Sequence, residues 1–201
     1  MSIRSMNRRH LLVAGGALLP ATLYTTSSAI ANTSSPTAAD IGFCQDMSIH
    51  HLQALAMCQR VIGRDTGDSV QAAAGEVLQN QSMEVGQMRA WLADWGESTV
   101  PPTTVMAWMG ANQGRGMPLE NMPGYASKEQ LLELSTMTGM ARGRKWLELM
   151  RSHHVGGVSM ASQAAVLCSS DKVIRLANVQ VRTQNYEIEI YDQLLAGTYA
   201  Y

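Results

Sequence analysis

The chain has 201 residues, with 15 Lys plus Arg against 16 Asp plus Glu. A balance this near neutrality excludes a strongly basic nucleic-acid surface. The length supports one sizeable core without requiring a second domain.

Residues 1–31 read as an export signal and not as fold. The stretch "MNRRHLLVAGGALLPATLYTTSSAIA" has a basic start, an apolar middle, and small residues at Ala29 and Ala31 before the expected cleavage. Arg8 and Arg9 followed by "HLL" look like a twin-arginine signal, which carries folded proteins across the bacterial membrane to the periplasm or beyond. Cleavage leaves about 170 residues, numbered 32–201, as a single helical domain. Arg4, Arg8 and Arg9 leave with the signal, so 12 Lys plus Arg face 16 Asp plus Glu, a net charge of −4. No later stretch offers roughly 18 unbroken apolar residues, so no membrane span is expected after the signal.

The first element is helical. In "CQDMSIHHLQALAMC", Met47, His51, Ala54 and Cys58 follow i, i+4, i+7, i+11. "GRDTGD", residues 63–68, breaks the pattern with glycines and cap-forming aspartates. Val77, Gln81, Val85, Met88 and Leu92 then mark a second helix. Residues 97–125 are rich in Gly, Pro and Met and read as a crossover connection, with Met106, Met109, Met117 and Met122 covering the end of a bundle. "SKEQLLEL" starts like a short capped helix. Two more helices are expected at roughly 143–168 and 171–196, capped at Ser170 or Asp171.

These elements repeat. An offset of 103 positions carries Phe43 to Trp146, Met47 to Met150, His50 and His51 to His153 and His154, and Met57 to Met160. The same offset carries Gln81 to Gln184 and Glu84 to Glu187. Two repeated helical hairpins predict an all-α four-helix bundle, an architecture that builds metal sites from facing side chains.

All four histidines of the mature chain fall in two equivalent pairs, which weighs against their being incidental core groups. Neutral imidazole is the commonest protein metal ligand. Met47-x-x-His50 and Met150-x-x-His153 place thioether where ferritin-like di-iron bundles place carboxylate, and thioether suits copper(I). Copper is therefore the expected ion, held by His50, His51, His153 and His154 with Met47, Met150, Met57 and Met160. Zinc is the alternative, through the imidazoles alone. Glu84 and Glu187, with Gln81 and Gln184, are read as groups that receive the second ring N–H of those histidines. A metal-free polar clamp is the competing account of the same residues.

Cys44, Cys58 and Cys168 are an odd number, which rules out a complete disulfide framework. Cys44 and Cys58 would lie about 21 Å apart along one helix, too far to bridge. Leu147 and Ala161 stand at their repeat positions, so both read as small buried hydrophobes. The four tryptophans read as bundle packing.

"FCQDMSIHHLQALAM", "WLELMRSHHVGGVSMA" and "MPGYASKEQLLELSTMTG" resemble the paired motifs and the lead-in of the domain of unknown function 305 family, secreted bacterial proteins with a ferritin-like bundle. The resemblance spans nearly the whole mature chain and implies copper binding, which some members show. Tyr125 replaces the second Met of the lead-in, and Arg142-Gly143 replaces a Phe-Asp pair whose counterpart in the first half is Asp40. No nucleophile or general-base pattern is evident, so a binding, buffering or delivery role is preferred over a metal-dependent oxidoreductase or a metal-free interaction bundle. The partners this implies are the metal ion, and a second copy of the chain or a copper-handling protein.

Overall fold

Thr37 and Asp40 close a capping box that starts helix α1, Ala38–Cys58. The Thr37 N–H donates to the Asp40 carboxylate at 2.8 Å and the Asp40 N–H donates to the Thr37 hydroxyl at 3.3 Å, so two otherwise orphaned backbone donors are satisfied. The structure is a computed structural model, described here over residues 35–100 and 102–200; the expected export signal lies outside the described residues. The "GRDTGD" turn relies on Gly63 (φ +72°) and Gly67 (φ +85°), after which α2 runs Asp68–Asp94.

The crossover contains a small element that the sequence did not announce. β1 (Thr104–Val105) pairs antiparallel with β2 (Met117–Pro118), with Thr104 opposite Pro118 and Val105 opposite Met117. Between the strands lie a 3-10 turn, Ala107–Met109, and the single turn α3, Ala111–Gly114. Met106 (φ +63°), Asn112 (+49°) and Gln113 (+58°) adopt left-handed backbone, which only Asn of these three types signals in a sequence.

Helix α4, Lys128–Thr136, carries the expected box between Ser127 and Gln130. The last two helices are α5, Gly139–Leu167, and α6, Asp171–Ala196. α5 starts four residues earlier than the apolar periodicity indicates. Arg142 holds that first turn from outside the stripe by donating to the Ser135 carbonyl at 3.1 Å. Ser170 occupies the α6 cap position, but its side chain makes no capping bond. A carboxylate from the other half serves instead: the Ser169 and Ser170 N–H groups donate to Asp40 Oδ1 at 3.2 and 3.0 Å.

That contact sets the topology. The start of α1 meets the end of α5, and Gly143 near the start of α5 faces the Thr66 carbonyl beyond the end of α1, so the two central helices run antiparallel. α2 packs on α1 and α6 on α5, each hairpin contributing one central and one outer helix. The crossover covers the remaining side. Asp46 accepts from the Met106 N–H at 2.6 Å and the Trp108 ring N–H at 2.9 Å, and Gln53 exchanges two hydrogen bonds with Ala126. Gly42 permits this, because a Cβ there would stand 2.6 Å from Trp108 Cδ1.

Two apolar clusters fill the bundle, one toward each end. The first contains Phe43, Cys44, Met47, Leu92, Met160 and Val173, and the second Met57, Cys58, Val77, Trp146, Met150 and Tyr191. Each draws on both halves, and each fully buried Met or Phe contributes roughly 1.5–3 kcal/mol. Met106 and Met122 are buried in the first cluster, while Met109 and Met117 pack against it, so these four methionines cover one end of the bundle.

Candidate functional site

Between the two apolar clusters lies a polar layer made where α1 passes α5. His50, His51, His153 and His154 are all fully buried there. Antiparallel packing superimposes the two motifs at their centres, so His50 and His153 stack with ring centroids 3.7 Å apart and planes 23° apart. Successive helical residues point about 100° apart, which turns His51 and His154 from this stack toward the outer helices. His51 Nε2 lies 2.6 Å from Glu84 Oε2 on α2, and His154 Nε2 lies 2.6 Å from Glu187 Oε2 on α6.

A carboxylate can only accept, so in the neutral rings of His51 and His154 the hydrogen sits on Nε2 and the lone pair on Nδ1. His153 Nε2 donates to the His50 carbonyl at 2.8 Å. Five buried ring nitrogens have no hydrogen-bond partner among the described residues: Nδ1 of all four histidines and Nε2 of His50. Burial, then the neighbouring imidazoles, holds His50 and His153 well below the ordinary histidine range, and they stay neutral at physiological pH. The Pro123 carbonyl near His50 works weakly the other way without reaching either ring nitrogen in hydrogen-bonding geometry.

The carboxamides complete the layer. Gln81 and Gln184 are 4% and 3% exposed, and the Oε1 atoms of both lack partners. Gly157 leaves a space that belongs to the partner helix: a Cβ there would meet the Gln184 carboxamide, with Cδ at 3.1 Å. Gln180 was not singled out by the sequence, yet its Nε2 donates to Glu84 Oε2 at 2.8 Å and lies 3.3 Å from His51 Nε2. Val77 stands 103 positions before it, so the offset pairs it with no polar residue. The signal it did carry is its place on the α6 stripe Val173, Leu176, Gln180, Gln184.

The methionines are redistributed by the antiparallel packing. Met47 shares a cluster with Met160 of the other motif, and Met57 with Met150, all four fully buried above and below the histidines. Spacing along one helix joined Met47 to His50; the fold adds a thioether from the opposite motif to each end. Among the described residues, no three His, Cys, Asp or Glu side chains already surround a common point as metal ligands do. The donor chemistry nevertheless fits a soft ion, with unpartnered imidazole nitrogens next to buried thioethers.

The cysteines stand apart from this layer. All three are buried and free, and burial pushes the thiols of Cys58 and Cys168 up to about 12 and that of Cys44 upward as well. They are protonated apolar fillers rather than thiolates. Trp146 is fully buried, with its ring edge against Tyr191, and Tyr191 in turn meets the His154 ring at 5.4 Å.

The profile of the domain of unknown function 305 family matches residues 40–195, and the chain belongs to that family. A family protein described as secreted, from Streptomyces coelicolor, is 36% identical; the match covers 79% of this chain and 92% of that one, with a TM-score of 0.72. A family fragment from Deinococcus radiodurans is 28% identical over 81% of this chain and 99% of its own, with a TM-score of 0.68. CopM in its copper(I)-bound form is 21% identical over 80% and 98%, with a TM-score of 0.62, and shares the fold. Among curated proteins none matches. No helix among the described residues is long and apolar enough to cross a membrane.

Proposed function

We propose that this member of the domain of unknown function 305 family is an exported metal-binding protein whose cargo is copper. The observation that carries the proposal is the set of five buried, unpartnered ring nitrogens. Each unsatisfied polar atom costs roughly 1–3 kcal/mol; one of the two His50 nitrogens carries the hydrogen of the neutral ring, so at most four of the five offer lone pairs, and a cation that accepts those removes their cost. The carboxylates on His51 and His154 resemble the outer partners that orient metal-binding histidines and leave the other nitrogen free. Met47, Met57, Met150 and Met160 supply thioethers on both sides, which favours copper(I) over zinc. CopM, solved in copper(I)-, copper(II)- and silver-bound forms, lends support at 20–24% identity. The His50 and His153 rings must turn out of their stack to converge on an ion. Export is supported by the twin-arginine-like start and by the Streptomyces relative that is described as secreted.

The test is titration of the mature protein with copper(I), copper(II) and zinc, beside a variant with His50, His51, His153 and His154 all changed to alanine. Tight copper uptake by the wild type alone is expected. Equal, weak uptake by both sinks the proposal, and equal affinity for zinc and copper(I) overturns the choice of metal.

A further inference from the structure

We infer that the crevice between α2 and α6 is the port through which a cation reaches the buried histidines, with Glu84 and Glu187 at its mouth. The inference rests on the metal-binding reading above. The crossover packs closely over the layer on the opposite side. There Ala126 is bonded to Gln53 of α1, and the Pro123 carbonyl lies against Gly156 of α5, where a Cβ would meet the carbonyl carbon at 2.6 Å. Gly124 sits over the backbone of His153, within 2.6 Å of the Cα for any added Cβ.

On the α2–α6 side, carboxylates reach from the surface to the buried rings. Few contacts join these two outer helices, and the crevice between them is lined by Asn80, Gln81, Glu84, Thr183, Gln184 and Glu187, with Gln180 and the apolar Val77. All but Val77 are polar. The carboxylates of Glu84 and Glu187 are 20% and 14% exposed, so each touches solvent while its Oε2 lies 2.6 Å from a fully buried imidazole. Behind them the Oε1 atoms of Gln81 and Gln184 are buried and unpartnered, which offers a cation or its water a ladder of oxygens. The neighbouring groove along the same helices is lined by Glu84 as well, but it carries Lys172 and Arg175 beside Trp91, and these two basic groups make it the poorer approach for a cation.

Entry is then a hand-over. A cation pairs first with a carboxylate at the surface, and Glu84 or Glu187 releases its histidine as the ion passes inward. Gln180 holds Glu84 by a second bond of 2.8 Å, so Glu187 is the less restrained of the two.

The experiment mixes mature protein with copper(II) in a stopped-flow instrument and follows intrinsic fluorescence, with equilibrium titration of the same samples. The port is narrowed by Asn80→Phe and, separately, by Thr183→Phe, one substitution on each wall and neither at a proposed ligand. Ser152→Phe, on the crossover side, is the control. Circular dichroism checks that each variant is folded. Expected is uptake roughly tenfold slower in both port variants, with capacity and affinity kept, and an unchanged rate in the control. Port variants that load at the wild-type rate, or a control that slows, overturn the port while leaving copper binding intact. A wild-type protein that takes up no copper fails at the earlier step, and that trace alone distinguishes the two failures.

Discussion

His50 and His153 tie protein stability to pH in a direction set by burial. Their folded-state proton affinity is depressed well below that of free histidine. The unfolded chain therefore binds more protons below about pH 6.5, and stability rises with pH up to that point and is flat above it. Urea unfolding at several pH values should show a constant free energy from pH 8 to about 6.5, then a fall of up to roughly 1.4 kcal/mol per pH unit for each group. Replacing both by glutamine should flatten the fall below pH 6.5; an unchanged slope would show that other groups govern it. Gln180→Val, which installs the residue of the equivalent position in the first half, removes the bond to Glu84. A loss of about 1 kcal/mol is expected, seen as a melting temperature lower by roughly 2–4 °C. No loss would mean that Glu84 holds His51 unaided.

At the scale of the helix, two glycines of the same bundle should respond to alanine with opposite signs. Gly75 is exposed on α2 with nothing within 4 Å of an added Cβ. There alanine gains roughly 1 kcal/mol from helix propensity. Gly156 is buried on α5 against the Pro123 carbonyl, a backbone atom that cannot swing aside as a side-chain tip can. Alanine there should cost about 1–3 kcal/mol by overpacking. Equal effects in a thermal melt would contradict the close approach of the crossover to α5. The periodic residues made the four long helices legible, because each has an apolar stripe or a motif. The β1–β2 hairpin was not legible, since it depends on left-handed backbone at Met106 and Gln113, residues that give no such signal.

For the molecule as a whole, the two halves that carry the Met-x-x-His-His motif lie in one compact unit, residues 34–201. Both apolar clusters take residues from α1 and α5, and Asp40 of the first half holds the turn before α6. A peptide of residues 35–100 should therefore show no cooperative unfolding transition, whereas the mature chain should; a cooperative melt of the peptide would contradict this reading. The departure from the family pattern at Gly143 has a structural counterpart at this scale. Where the first half uses Asp40, the space beside Gly143 admits Tyr199, whose hydroxyl donates to the Thr66 carbonyl at 2.7 Å. Bound copper should stabilise the whole bundle by about 2.7 kcal/mol at a hundredfold excess over the dissociation constant. That corresponds to a rise in melting temperature of roughly 5–10 °C, lost in the four-histidine variant.

The sequence by itself determined the helices, the doubled motif and the residues worth watching, because helical periodicity and a constant offset are one-dimensional properties. His50, His51, His153, His154, Glu84 and Glu187 could all be named from spacing alone. Only the tertiary structure decided who meets whom. Antiparallel packing of α1 on α5 stacks His50 on His153, groups Met47 with Met160, and gives each outer histidine its own carboxylate. It also brings in Gln180, which has no repeat partner, and covers one side of the layer with a crossover whose position depends on Asp46, Gln53 and three close-packed glycines. The physical reason is that a helix pattern specifies which face is buried, while the direction and neighbour of that face follow from contacts between residues a hundred positions apart.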